Sequence, residues 1–331
     1  MSRAIRIASV LAIAASTACG GGKPAKPEYS LEVRDLADSS GDAALLAAIR
    51  RGDPDAVSRA LEAGADPDAV EEGGRTALML AAMVGDADAV DLLVAATANV
   101  DARQADGATA LMIAAGLGET EIARALVTAG AAINTRTAEG VTALMFAAMM
   151  GDAELAALLL DRGARLDDAE AAGETALFVA ASEGRLQVVE LLLARGDAAG
   201  SARSDGKTAL MAAASFGSED VVRLLIERGA DVNAAKAQGA TALMIAAGEG
   251  RTDIARILCG AGARLDDVNF AGWTALMFAA GKGRAEVAAY LLAQGADTRS
   301  ADAMGATAAQ VARAAGYEAV AVAIEAAAGV P

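Results

Sequence analysis

The tripeptide Thr-Ala-Leu recurs through this sequence with a period of 33 residues. A degenerate copy starts at Thr307, and Ala43 stands in the same phase near the front. A fixed period of this length predicts stacked copies of one small unit, because such a unit cannot bury its apolar face alone. It argues against a single globular core. The seven full copies begin at Thr76, Thr109, Thr142, Thr175, Thr208, Thr241 and Thr274.

Glycines keep the same period at three further positions. In the unit around Thr142, Gly140 precedes the threonine, Gly151 follows it by nine residues and Gly163 closes the unit. Because glycine adopts positive φ without a Cβ penalty, each of these positions predicts a turn or a helix end. In the unit that starts at Thr76, Thr97 stands where the closing glycine is expected.

Each unit is predicted to form two short antiparallel helices and a return loop, since the apolar face changes at the glycines. In the unit that starts at Thr142, the threonine can cap the first helix. Asp152 and Glu154 favour the positive end of the second helix. The residues expected to be buried are Leu144, Met145, Ala147, Ala148, Leu155, Leu158 and Leu159.

The repeated motifs resemble those of the ankyrin repeat family. They are Gly-x-Thr-Ala-Leu-Met, Ala-Ala-x-x-Gly, the Leu-Leu-Leu of the second helix and Gly-Ala-Asp-Val-Asn at 229–233. The resemblance implies an all-α ankyrin repeat solenoid of about nine 33-residue helix-turn-helix units, including both caps. Two departures recur: alanine replaces the family's usual proline after the threonine, and methionine replaces its usual histidine. Thr97, and Gly200 where the family has Asp or Asn, predict two looser loops.

The composition excludes several classes of function. The 331 residues include no histidine and only two cysteines, Cys19 and Cys259. These counts remove the usual general base, imidazole zinc sites and any disulfide framework. The formal net charge of −16 opposes binding to nucleic acid. We therefore expect no enzyme activity, no cofactor and no nucleic-acid partner.

The first 18 residues have the three-part layout of a secretory signal peptide. Arg3 and Arg6 precede an apolar run at 7–15, and small residues then lead to Cys19. The apolar run is too short to span a bilayer. The predicted domain organisation is a signal peptide at 1–18, a lipidated cysteine and flexible tether at 19–40, and an ankyrin repeat domain at 41–331.

The tetrapeptide Ser16-Thr17-Ala18-Cys19 resembles the lipobox of bacterial lipoproteins, although Ser16 replaces the commoner leucine. The resemblance implies cleavage before Cys19, lipidation of that cysteine and attachment to a membrane of the bacterial cell envelope. Gly20 favours the outer membrane by the same resemblance. Ordinary signal peptidase could cut the same bond, which leaves a soluble periplasmic or secreted protein as an alternative and a cytoplasmic protein as a third.

The partner of such an array is expected to be a protein, of unknown identity, bound through the concave groove and the loop tips. By resemblance, the two residues before each turn glycine line the groove. In the first three of these seven pairs they are largely apolar, and an apolar stripe marks an interaction site. The alternative is that these methionines only fill gaps. The pairs are Met83-Val84, Gly116-Leu117, Met149-Met150, Ser182-Glu183, Ser215-Phe216, Gly248-Glu249 and Gly281-Lys282.

Phe270 and Trp273 form a second candidate site on one loop tip. Trp273 is the only tryptophan, and aromatic anchors often dominate the energy of an interface. The alternative is that Trp273 lies over the adjacent loop as a local clasp. The predicted partner-binding positions are therefore Met83, Val84, Leu117, Met149, Met150, Phe216, Phe270 and Trp273.

Other candidates for chemistry favour simpler interpretations. Asp167-Asp168 and Asp266-Asp267 lack the ordered spacing of a calcium loop and are interpreted as solvated charge. Cys259 stands where other units have leucine or isoleucine, and is predicted to be a buried core residue rather than a nucleophile. The leading hypothesis is a non-catalytic binding module whose negative field favours basic partners. A structural spacer or self-assembling envelope subunit is the alternative.

Overall fold

The computed structural model describes residues 41–71 and 73–329. The predicted signal peptide at 1–18, Cys19 and the tether up to residue 40 lie outside the described residues. From Gly41 onward the chain divides into two compact units, with the boundary after Glu170. We call them the N-terminal unit and the C-terminal unit.

The N-terminal unit contains eight α-helices that form four consecutive pairs. In each pair a first helix is followed by a glycine turn and a second helix. The bounds are α1 Gly41–Arg51, α2 Pro54–Glu62, α3 Ala77–Val84, α4 Ala87–Ala95, α5 Ala110–Leu117, α6 Thr120–Thr128, α7 Ala143–Met150 and α8 Ala153–Asp161.

The C-terminal unit contains ten helices in five pairs, so the predicted all-α fold of about nine units is confirmed. The β-bridges among the described residues are isolated, such as that of Val70 with Thr76. The bounds are α9 Ala176–Ser182, α10 Leu186–Ala194, α11 Ala209–Phe216, α12 Glu219–Glu227, α13 Ala242–Glu249, α14 Thr252–Gly260, α15 Ala275–Gly281, α16 Ala285–Ala293, α17 Ala308–Ala314 and α18 Glu318–Ala327.

The first helices begin at a threonine cap and end at a glycine, as the sequence predicts. Thr142 Oγ1 accepts a hydrogen bond from the Met145 N–H at 3.4 Å, which satisfies one of the free donors at the start of α7. Gly151 ends the helix with φ 79°, a left-handed conformation that favours glycine. The threonine cap recurs in the other first helices from α3 to α15, which are limited to about two turns, whereas α1 has 11 residues.

The inner first helices, from α3 to α15, are largely buried apart from their last two residues, whereas the terminal helices α1 and α17 are exposed on one side. Within each unit a first helix packs on its own second helix and on the first helices of neighbouring pairs. In α7 even Phe146 is only 1% exposed. Methionine at the position where the family usually has histidine is also core: Met79, Met112, Met145, Met211, Met244 and Met277 are each 3% exposed or less.

The second helices are amphipathic and face solvent on one side. In α8, Leu155 and Leu159 are fully buried, whereas Leu158 is half-buried, less than the sequence predicts. Asp152 caps this helix by accepting a hydrogen bond from the Leu155 N–H at 2.8 Å. No helix among those described is both long and apolar enough to cross a membrane.

Long loops between the helix pairs form fingers, each tipped by a tight turn. In the C-terminal unit neighbouring finger backbones are joined by hydrogen bonds, from the Ala237 N–H to the Asp205 carbonyl at 2.7 Å and from the Ala303 N–H to the Ala271 carbonyl at 3.0 Å. Because backbone atoms hold the fingers together, the side chains at their tips are left to face outward.

The last helix pair has a polar outer side. Arg313 donates to the carboxylates of Glu318 and Glu325, in each case at 2.9 Å for the shortest bond. In the preceding pair the position equivalent to Arg313 is the fully buried Ala280, and the position equivalent to Glu325 is the half-buried Leu292. Replacement of packing residues by an ion-paired network is what a terminal capping repeat requires.

Candidate functional site

The apolar residues at the ends of α3, α5 and α7 form a strip in the N-terminal unit. Each lies in the last turn of a first helix, beyond the part covered by neighbouring helices. All five side chains are half-buried, so the structure shows a partly covered strip where the sequence predicts an exposed one. We call Met83, Val84, Leu117, Met149 and Met150 the apolar strip.

Local contacts hold parts of the apolar strip in place. The Arg75 guanidinium donates to Met83 Sδ at 3.2 Å, while the charge of Arg75 is paired with Glu71. The methyl of Met150 lies over the turn at Gly118, 3.7 Å from where a Cβ on that glycine would be. These contacts fit gap filling as well as a prepared docking surface, so the binding role of the strip stays a prediction.

Three carboxylates border the apolar strip at the starts of α4, α6 and α8. Asp86 and Asp152 cap their helices, with bonds from backbone N–H groups at 3.0 and 2.8 Å. Glu119 makes no such bond. Its carboxylate lies beside the turn that follows Val84, with Oε1 3.0 Å from the position of a Cβ on Gly85. We call Asp86, Glu119 and Asp152 the acidic border.

The equivalent pairs in the C-terminal unit are mostly small or polar. Ser182 and Gly248 are buried, whereas Glu183, Glu249 and Lys282 are exposed. The exception is Phe216, the last residue of α11, which is 52% exposed. The predicted site residue Phe216 therefore lies outside the apolar strip, in the C-terminal unit. At the equivalent position the other helix pairs named above have the polar residues Glu183, Glu249 and Lys282.

Two apolar side chains project from adjacent finger tips of the C-terminal unit. Phe270 is 82% exposed and Met304 is 89% exposed, the two highest values among the described large hydrophobic residues. We call them the fingertip pair. Met304 was not among the predicted site residues, although it is distinctive in the sequence, because other tips carry Ala, Asp, Glu, Gln or Gly at this turn position.

The backbone beneath the fingertip pair is fixed by hydrogen bonds. Asn269 Oδ1 accepts from the N–H groups of Ala271 and Trp273 at 3.0 and 2.9 Å. The Phe270 N–H in turn donates to the Gln238 carbonyl at 3.1 Å. Because this backbone is already ordered, a partner that covers the two tips orders only their side chains and not the loops that carry them.

Trp273 lies beneath the tips and has partners within the chain. Its indole N–H donates to Asp302 Oδ2 at 3.2 Å, and its ring meets Phe278 edge-to-face with centroids 5.3 Å apart. The indole is half-buried. This is the geometry of the local clasp, while direct contact between Trp273 and a partner stays a prediction.

The remaining candidates, Cys259 and the loop carboxylates, make contacts within the chain. Cys259 is half-buried rather than part of the core, because its position faces the next second helix at the edge of the packing. Burial raises the pKa of its thiol, while a hydrogen bond with Tyr290 lowers it by less. Asp167 is exposed, but Asp168 is buried and paired with Arg136 at 3.3 Å, so the prediction of solvated charge was wrong for Asp168. The described residues contain no group of three or more potential metal ligands.

A family model described as "Ankyrin repeats (3 copies)" matches the chain in overlapping segments from residue 28 to residue 328. A search of the curated proteins gave no match. The matched segments are 28–104, 44–137, 81–170, 129–199, 145–236, 177–269, 231–302 and 261–328.

Proposed function

The chain belongs to the ankyrin repeat family, and from this premise we propose that it is a non-catalytic module that binds another protein. Ankyrin repeats generally mediate protein–protein interaction, and they are typically not enzymes. The apolar strip and the fingertip pair are the two surfaces that supply contact area. Each belongs to one unit, so neither depends on how the two units are arranged.

The fingertip pair is the observation that carries this proposal. Large apolar side chains at 82% and 89% exposure cost free energy in water and contribute nothing to the core. They project from two adjacent fingers whose backbones are hydrogen-bonded to each other. An exposed apolar pair on a fixed scaffold has the properties of an interface anchor.

Affinity capture with matched variants tests the proposal. The double variant Phe270→Ser, Met304→Ser removes the fingertip pair, and Val322→Ser removes an apolar side chain that is 53% exposed on α18. We expect a specific protein to be retained by the wild type and by Val322→Ser, and bound about tenfold more weakly or lost with the double variant. Equal retention by all three proteins would contradict a role for the pair.

We propose that the module works in the bacterial cell envelope, attached through lipid on Cys19. The support is the signal-like layout of residues 1–18 and the tetrapeptide that ends at Cys19. Mass spectrometry of the mature protein distinguishes the outcomes. An N-terminal Cys19 with acyl chains, lost in Cys19→Ser, is expected. An unmodified Cys19 at the mature N-terminus would indicate simple secretion instead.

Self-assembly through the last helix pair is disfavoured by the Arg313, Glu318 and Glu325 network on its outer side. Stacking a further copy there would bury three charged groups. Molecular mass measured over a range of protein concentrations checks this point. A constant monomer mass is expected, whereas a mass that rises with concentration would favour the assembly alternative.

A further inference from the structure

Charge is distributed unequally between the two units. Residues 41–170 contain nine arginines and 22 Asp or Glu, a net charge of −13, whereas residues 171–331 contain 14 Lys or Arg and 18 Asp or Glu, a net charge of −4. The apolar strip therefore lies in the unit that produces most of the negative field. A partner segment that approaches this unit is attracted if it is basic.

The acidic border concentrates this charge beside the apolar strip. The side-chain carboxylate of Glu119 makes no hydrogen bond or ion pair within the described part of the chain. Asp86 uses one carboxylate oxygen as a cap, and its second oxygen is buried and accepts no bond from any described residue, so Asp86 contributes negative charge to the border rather than an open acceptor. Asp152 accepts from the Thr120 hydroxyl at 2.5 Å. None of these contacts brings a positive charge to the carboxylates.

Helix capping does not account for the whole acidic border. Asp is a good cap, which is a sufficient reason for Asp86 and Asp152. Glu119 does not cap α6, however. The C-terminal unit shows that the position does not require a carboxylate, because its second helices begin without any side-chain cap bond, at Arg185, Ser218, Arg251, Arg284 and Tyr317.

We propose that the apolar strip and the acidic border together bind a basic amphipathic segment of a partner protein. Apolar side chains of that segment cover Met83, Leu117 and Met150, and its Lys or Arg side chains meet the carboxylates along the border. The inference deepens the proposed function and rests on it. It assigns the N-terminal unit a partner chemistry that the equivalent edge of the C-terminal unit, which carries Arg251 and Arg284, does not share.

The apolar and charged parts of this surface have separate roles. Covering half-buried methionines supplies affinity that changes little with salt, because burial of apolar surface involves no charge. Methionine also adapts its shape to different partners. Exposed charge pairs act mainly on the association rate and on the choice of partner, and are screened by salt. Binding is therefore expected to weaken as ionic strength rises and to persist in part at high salt.

The test uses the full chain and two synthetic helical peptides of about 18 residues, or five turns. One carries leucine on one face and lysine on the other, and its counterpart has glutamate in place of lysine. The border variant is Asp86→Asn, Glu119→Gln, Asp152→Asn, which removes three charges and retains the caps because Asn caps as well as Asp. The control variant is Asp88→Asn, Glu121→Gln, Glu154→Gln, on the same three helices with the same change in net charge.

Dissociation constants from titration calorimetry decide the outcome. We expect the leucine–lysine peptide to bind the wild type, the border variant to bind it about tenfold more weakly, and the control variant to stay within about twofold of the wild type. The glutamate peptide should not bind. Met150→Ser should weaken binding of the lysine peptide without changing its salt dependence.

Equal loss in the border and control variants would overturn the inference, since net charge alone would then explain binding. Binding of the glutamate peptide with similar affinity, or no binding of either peptide, would also overturn it. None of these three results bears on the capture experiment, which varies only the fingertip pair in the other unit. A partner captured there, with no peptide bound here, would retain the proposed function and remove this inference.

Discussion

Thr97 has φ 64°, and no other non-glycine residue in the described segments has a positive φ. It occupies the position where glycine closes most other helix pairs, and it keeps the local bonds, with the Thr97 N–H donating to the Val94 carbonyl at 3.0 Å. The sequence predicts a looser loop here. The structure shows the same turn, formed by a β-branched residue for which the left-handed region is unfavourable.

Replacing Thr97 by glycine should therefore stabilise the protein. The change relieves backbone strain of about 1 kcal/mol and leaves the turn unaltered. Urea unfolding monitored by circular dichroism measures the gain. The reverse change at the equivalent position, Gly130→Thr, where φ is 92°, should destabilise by a similar amount. A neutral or destabilising Thr97→Gly would show that the loop relaxes around threonine.

Asp302 couples the finger tip to pH. The backbone N–H of Ala306, followed by the N–H of Met304, the Trp273 indole and the N–H of Gly305, holds the pKa of its carboxyl below 3.8 against desolvation, which raises it. Since the folded pKa is lower than the unfolded one, the stability that Asp302 contributes is present above about pH 4 and is lost as the pH falls through the folded pKa.

Asp302→Ala should thus be less stable than the wild type at neutral pH, and the difference should shrink below pH 4. Trp273 reports the change directly, because it is the only tryptophan and donates to Asp302. Its emission should be red-shifted in Asp302→Ala at neutral pH. An identical emission spectrum in both proteins, or a stability difference that does not depend on pH, would show that the clasp is weak.

At the scale of the helices, the local signals in the sequence were reliable. Thr142 caps α7 and Gly151 ends it because both effects act within one turn, so residue identity is sufficient to predict them. The burial of Phe146 was not predictable in this way, because it depends on the neighbouring helix pairs. The half-buried state of Leu158 and Cys259 has the same cause.

Substitutions at the starts of the second helices should stabilise the C-terminal unit. Arg251 begins α14 without a side-chain cap bond and places positive charge at the positive end of the helix. Arg251→Asp should raise the free energy of unfolding by about 1 kcal/mol, measured by urea unfolding. Asp152→Ala at the equivalent position of α8 should lower it by a similar amount. A loss of stability in Arg251→Asp would mean that packing of the arginine over Gly217 outweighs capping.

At the scale of the whole molecule, the 33-residue period predicts about nine helix pairs, and the described residues form nine. Periodicity predicts architecture well because every copy repeats the same packing. It predicts a binding site poorly, because a site arises where copies differ. Phe270 was identified as such a difference, whereas Met304 was missed, and the apolar strip is more covered than the sequence alone indicated.

Site-specific photo-cross-linking tests the central claim of a protein-binding module most directly. A photoreactive phenylalanine analogue replaces Met304 at the finger tip or, as the control, Val322 on α18, both exposed apolar positions. Irradiation in the native envelope should yield a distinct protein adduct from position 304 and none from position 322. Adducts of the chain only with itself, or the same adducts from both positions, would contradict the account.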